Sequence, residues 1–180
     1  MKKIIIACLL IAAVANLKAQ LYSTQSGEIS FYSKTPVEDI EAKSKRVLAV
    51  LNTEKLTVAF KVDNTSFEFP NKLMQEHFNE KYMESEKYPN SSFAGKINEA
   101  VDLTKDGEYP VTVSGKLNIH GVEQDRTIPG KVVVKNGEIT VLSDFKVKVA
   151  DHKITIPKLV VAKIAEEISV NVNAVMQPKK

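Results

Sequence analysis

Three histidines, His77, His120 and His152, a single cysteine, Cys8, and five tyrosines are the residues from which this sequence could build reactive or metal-binding chemistry. His77 and Glu80 stand three apart, a spacing that sets two side chains on one face of a helix, where they could hold two corners of a metal. A metal needs at least one further protein ligand, and neither an H-E-x-x-H run nor a Cys/His cluster supplies it. His120 precedes Gly121 at a strand end, where an imidazole commonly ties down a turn through a backbone hydrogen bond. Nucleophile elbow, Walker loop and dinucleotide glycine fingerprint are all missing. The sequence therefore offers no catalytic residue, no metal site and no cofactor, and an enzymatic reading would rest on His77, His120 and Glu80 alone. Tyr82, Tyr88 and Tyr109 each carry an apolar body with a polar tip that could meet a ligand headgroup or sit wet at a rim.

The elements that would position such groups come after a secretory leader. Lys2 and Lys3 precede an apolar run, Ile4 to Val14, that is shorter than the roughly 20 residues a spanning helix needs. Leu17 and Ala19 occupy the two positions a signal peptidase inspects, so cleavage is expected after Ala19, giving a leader over 1–19 and a single domain over 20–180. Ile5-Ile6-Ala7 before Cys8 loosely resembles a lipoprotein processing box, but a cut there would leave almost no apolar segment, and Cys8 reads as filler. Cleavage would leave a chain without cysteine, suited to an oxidising compartment, periplasmic or extracellular. It would also remove three lysines and no acid, leaving 22 Lys+Arg against 22 Asp+Glu. A neutral chain gives no support for binding nucleic acid or an anionic membrane.

Period-2 alternation dominates the chain beyond the leader. Ile29 and Phe31 share a strand face, Val37 to Ser44 reads as a turn after Pro36, and 46–51 and 55–62 form a hairpin across Asn52-Thr53-Glu54. Phe67 and Phe69 resume the alternation. Between Asn71, the expected N-cap, and Ser85 the period changes: Leu73, Met74, Phe78 and Tyr82 make one helical stripe of three to four turns. Strands return at 92–99, 111–119, 128–135 and 138–149, the last two joined by Asn136-Gly137, a strong hairpin signal. Ile139, Val141, Phe145, Val147 and Val149 share a face only if a bulge or bend near Ser143-Asp144 leaves the register intact; one or two helical turns are expected within 159–165, and a closing strand through Ile168, Val170, Val172, Ala174 and Met176. Eight strands and one inserted helix make an all-β domain, and eight is the number at which an antiparallel sheet closes around one small ligand. An open two-sheet sandwich satisfies the same alternation.

Three blocks carry a family resemblance. Ser66-Phe67-Glu68-Phe69-Pro70-Asn71, leading into His77 to Pro89 and then Ser92-Phe93, resembles the helix and following strand of the YceI-like family of exported, lipid-binding-like β proteins. Val113 to Val122, followed by Thr127-Ile128-Pro129, is similar to that family's G-x-L-x-I-H-G-V strand and turn. Asp144-Phe145, Ile154-Thr155-Ile156-Pro157 and the terminal strand resemble its last third, so the likeness spans 25–176. It implies a lipocalin-like eight-stranded antiparallel β-barrel whose apolar interior takes a polyisoprenoid, an isoprenoid quinone or a fatty-acid-like chain, without cofactor chemistry.

Parity nominates the ligand-binding residues: Phe60, Phe67, Phe93, Ile97, Val113, Leu117 and Ile119 from strands, with Phe78 and Tyr82 from the helix as a wall or lid. Each buried ligand methylene would contribute about 0.8 kcal/mol. The bland reading of each residue is plain core packing, and its collective form is a barrel filled by its own side chains that serves as a stress-related or protein-interaction domain. The expected partner is a hydrophobic small molecule, with no stable membrane insertion after leader cleavage; whether two copies pair as a homodimer stays open.

Overall fold

The computed structural model describes residues 20–157, 160 and 162–179. The expected leader, 1–19, lies outside the described residues. Alternating side chains build eight strands: β1 (Leu21–Lys34), β2 (Asp39–Asn52), β3 (Thr57–Asp63), β4 (Asn90–Ile97), β5 (Gly107–Ile119), β6 (Val122–Lys135), β7 (Glu138–Lys148) and β8 (Glu167–Pro178). Each pairs antiparallel with the next, and β1 pairs with β8, so the sheet is a closed barrel in sequence order and not a sandwich. Closure pairs every strand with two neighbours, but β6 and β7 are joined only from Lys131 to Lys135 with Glu138 to Leu142, so their mouth-side halves part.

Up-and-down order sends alternate connections to opposite ends. The base carries the β2–β3, β4–β5 and β6–β7 links; the other end, the mouth, carries short β1–β2 and β5–β6 turns and two long excursions, 64–89 and 149–166. Asn136 and Gly137 have φ of 51° and 78°, the doubly left-handed pair a tight hairpin requires. Midway up the wall Gly95 and Gly115 face each other across β4 and β5. A Cβ on Gly115 would lie 2.2 Å from the Ala94 carbonyl oxygen, so only glycine permits this approach.

Three local expectations change. Residues 39–44 are not a turn but the start of β2, paired with β1 from Asp39 to Ser44; of their inward residues only Ile40 is large and apolar, and Ala42 and Ser44 are too small to continue the pattern. Phe67 and Phe69 do not extend β3: a 3-10 turn over Asn64–Ser66 intervenes, and only a Lys43–Glu68 bridge ties this stretch to the sheet. No bulge interrupts the β7–β8 pairing at Ser143-Asp144, which runs in unbroken register from Ile139 to Lys148, but the β6–β7 ladder ends at Leu142, just before that pair; the register shifts lie in β1, around Gly27. Part of 159–165 is outside the described residues, and within it Lys163 N–H donates to Val160 O at 2.9 Å, one tight turn.

The inserted helix α1 (Lys72–His77) starts where Asn71 Oδ1 accepts the Leu73 N–H at 2.9 Å. It runs into a π-helical turn, Phe78–Tyr82, closed by Met83 N–H donating to Phe78 O at 2.8 Å. The extra residue in that turn keeps Tyr82 and Met83 both on the barrel side.

Candidate functional site

The barrel interior divides into a solid base and a hollow upper half. At the base Leu51, Ile139, Ala174 and Met176 have no accessible surface, and Leu103, from the β4–β5 link, plugs the end at 1 % exposure. Above them lies a cavity of about 550 Å3, lined almost wholly by carbon and reaching the surface at the mouth beside Leu73, which is 56 % exposed. Inward-pointing Phe60, Phe93, Val113 and Ile119 are only half-buried. Their remaining accessible surface is the wall of this space. A barrel filled throughout with its own side chains is therefore found only at the base.

All nine residues nominated by parity line the cavity: Phe60, Phe67, Phe78, Tyr82, Phe93, Ile97, Val113, Leu117 and Ile119. They differ in how much they owe to packing. Phe67 is 5 % exposed and belongs to an aromatic cluster in which Phe78 lies with its ring centroid 5.4 Å from Phe31, 5.6 Å from Phe67 and 5.1 Å from Phe69. That cluster fastens the helical excursion to β1, using tilted, edge-on and stacked contacts that aromatic quadrupoles favour. Ile97 is buried against the lower wall, and Leu117 is buried near the mouth end of β5.

The nomination missed much of the opposite wall. Ile29 and Phe31 of β1, Phe145 and Val147 of β7, and Ile168, Val170 and Val172 of β8 also line the cavity. Their parity is legible in the sequence; what was not legible is that the closing β1–β8 pair faces the same void as β3–β5. Phe69 and Met74 complete the mouth.

Polar atoms meet the cavity mainly at the mouth. Ser33 Oγ accepts the Ala165 N–H at 2.9 Å and Ser143 Oγ donates to Pro129 O at 2.6 Å, so both hydroxyls are engaged by the frame. Lys163 Nζ and Glu38 pair at 3.5 Å on the rim. Burial raises the Tyr82 phenol above its usual range, so Tyr82 presents a neutral hydroxyl. His77 lines the mouth; Tyr88 and Tyr109 do not line the cavity, the first packing on His120 at 4.5 Å between centroids and the second donating to Lys105 O at the base.

The histidine expected to secure a turn does so, with an added partner that sequence spacing cannot show. His120 and Gly121 form the β5–β6 turn with φ of 53° and 70°. His120 Nδ1 bonds the His152 carbonyl at 3.1 Å and Nε2 bonds Glu84 Oε2 at 2.7 Å, joining both long excursions to one turn. His152, fully buried, bonds the Val122 carbonyl through Nδ1 at 3.1 Å. Among the described residues no three His, Cys, Asp or Glu side chains converge as metal ligands, and no helix is long and apolar enough to cross a membrane.

Comparison with known proteins bears on this architecture. The search of curated proteins returned no match. Among solved structures, a polyisoprenoid binding domain from Saccharophagus degradans, described as implicated in plant cell wall breakdown, superposes with a TM-score of 0.76 at 16 % identity, covering 90 % of this chain and all of that one. Burkholderia cenocepacia BcnA gives 0.70 at 18 % identity over 83 % of this chain and 95 % of its own. A Campylobacter jejuni YCEI protein gives 0.61 at 17 % identity over 77 % and 85 %. At such identities the structures establish a shared fold. The family model for the YceI-like domain matches residues 14–176, nearly the whole sequence, and the chain belongs to that family.

Proposed function

We propose that this protein is an exported, non-catalytic carrier that sequesters a single-chain amphiphile, a polyisoprenoid, isoprenoid quinone or fatty-acid-like molecule, with its tail in the barrel and its polar end at the mouth. The observation that carries this reading is the cavity itself: about 550 Å3 of carbon-lined space, within the range of small-molecule sites, which the protein's own side chains leave unfilled. A core of ordinary packing tolerates few voids larger than a water molecule, and a void costs stability unless something occupies it. The description of the Saccharophagus domain as polyisoprenoid binding supports the same ligand class. On this reading residues 1–19 are a cleaved leader and 20–180 form the carrier domain.

The test is extraction. Protein purified without detergent is denatured in organic solvent, and the extract is analysed by mass spectrometry for stoichiometric lipid. Because the chain has no tryptophan, a Phe93→Trp variant places one reporter on the cavity wall, and its emission is expected to shift on adding farnesol or palmitate. An extract free of lipid together with an unresponsive indole emission would overturn the proposal.

A further inference from the structure

The boundary between hollow and solid halves is drawn by specific side chains. Five residues belong both to the packed base and to the cavity lining: Val58, Ile97, Val111, Val132 and Val141, one from each of the consecutive strands β3 to β7. Val132 and Val141 are direct cross-strand partners. Ile97 and Val132 are buried to 2 % and 1 % exposure, held from below by a cluster whose Leu51, Leu103, Ile139 and Met176 do not line the cavity. This is a floor with a solid backing, and a ligand entering at the mouth cannot pass it without displacing core.

We infer that this ring is a chain-length ruler, setting how many carbons of a ligand's tail the protein can remove from water. The inference rests on the carrier function proposed above and adds its specificity. At about 30 Å3 of liquid volume per methylene, the cavity of about 550 Å3 has the size of a long acyl tail, on the order of 20 such groups. Carbons beyond that number stay in solvent at the mouth and add nothing to affinity. The preferred occupant is thus a long-chain acyl or short prenyl amphiphile; a much longer polyprenyl chain would be held by one end only.

The test uses a fatty-acid series with one headgroup, decanoate, myristate, palmitate, stearate, behenate and lignocerate, delivered from cyclodextrin and measured by displacement of a fluorescent probe. Affinity is expected to rise about fourfold per added methylene up to a break near stearate, then to stay level. Ile97→Ala, which removes part of the floor, moves the break towards longer chains. Val113→Phe, which adds volume where the wall faces open space, moves it towards shorter ones and keeps the ruler testable should the alanine variant fail to fold. Affinity that keeps climbing through lignocerate in the unaltered protein, or a break that stays put in both variants, overturns the ruler while leaving the carrier function standing. Absence of fatty-acid binding at every length overturns the ruler alone; joined to a lipid-free extract and an unresponsive Phe93→Trp reporter, it overturns the carrier function as well.

Discussion

His120 is buried beneath Tyr88 with each ring nitrogen facing an acceptor, the Glu84 carboxylate at 2.7 Å and the His152 carbonyl at 3.1 Å. Replacing it with alanine is expected to cost about 1–3 kcal/mol, because the His152 carbonyl loses its donor in a buried site; chemical denaturation of the two proteins measures the difference. His152 acts in the opposite sense. Burial, opposed by its bond to the Val122 carbonyl, holds its imidazole below the usual value of about 6.5. The unfolded chain takes up this proton as pH falls below that value while the folded ring stays neutral, so the contribution is complete above it and declines on the acid side. Melting temperature should therefore drop between about pH 7 and about pH 5, and less steeply in His152→Gln, where nothing titrates; identical pH slopes for the two proteins would refute this origin. None of these pairings follows from sequence spacing, since Glu84, His120 and His152 come from three separate connections. The turn itself was legible, because a His-Gly pair at a strand end has few other uses.

Elements differ in how openly their residues declare them. β5 to β8 alternate large apolar side chains with polar ones, and their registers run without interruption. The first half of β2 alternates too, but with Ala42 and Ser44 inward, so the hydrophobic signal vanishes while the pairing persists. Leu103 sits in a short link beside Ala100 and Val101, too few apolar residues to declare a core element, and only the closed base explains its burial. The π-helical turn leaves no mark, because the 74, 78, 82 stripe fits an ordinary helix equally well. Two excursions depend on polar stitching at their roots. Asn64, fully buried, donates through Nδ2 to Tyr88 O at 2.6 Å and accepts from Ser91 Oγ at 2.8 Å, pinning both ends of 64–89. Asn64→Ala should cost about 3 kcal/mol and raise amide exchange through α1; unchanged protection at 72–83 would show that the Phe78 cluster suffices. In the wall, Gly115→Ala should destabilise by about 3 kcal/mol, a value that denaturant titration reads directly, because its Cβ would overlap the Ala94 carbonyl.

For the whole molecule, strand count and alternation made a closed barrel legible but left a sandwich equally allowed; the β1–β8 pairing decides it. A hollow interior was legible from the strand count and the family resemblance but not from any single residue, since an apolar inward face reads the same whether it meets another side chain or a guest; that the hollow is confined to the upper half came only from the structure. The β1–β8 seam has a further consequence. It joins residues about as far apart in the chain as this fold allows, Tyr22 to Pro178 and Tyr32 to Ser169, and such remote pairings form late and slowly. Until the final segment arrives, the remaining seven strands can form only an open trough with its greasy lining in water. On the carrier function proposed above, a chain exported amino end first would pass through an interval in which a lipid can be laid in from the side without threading the mouth.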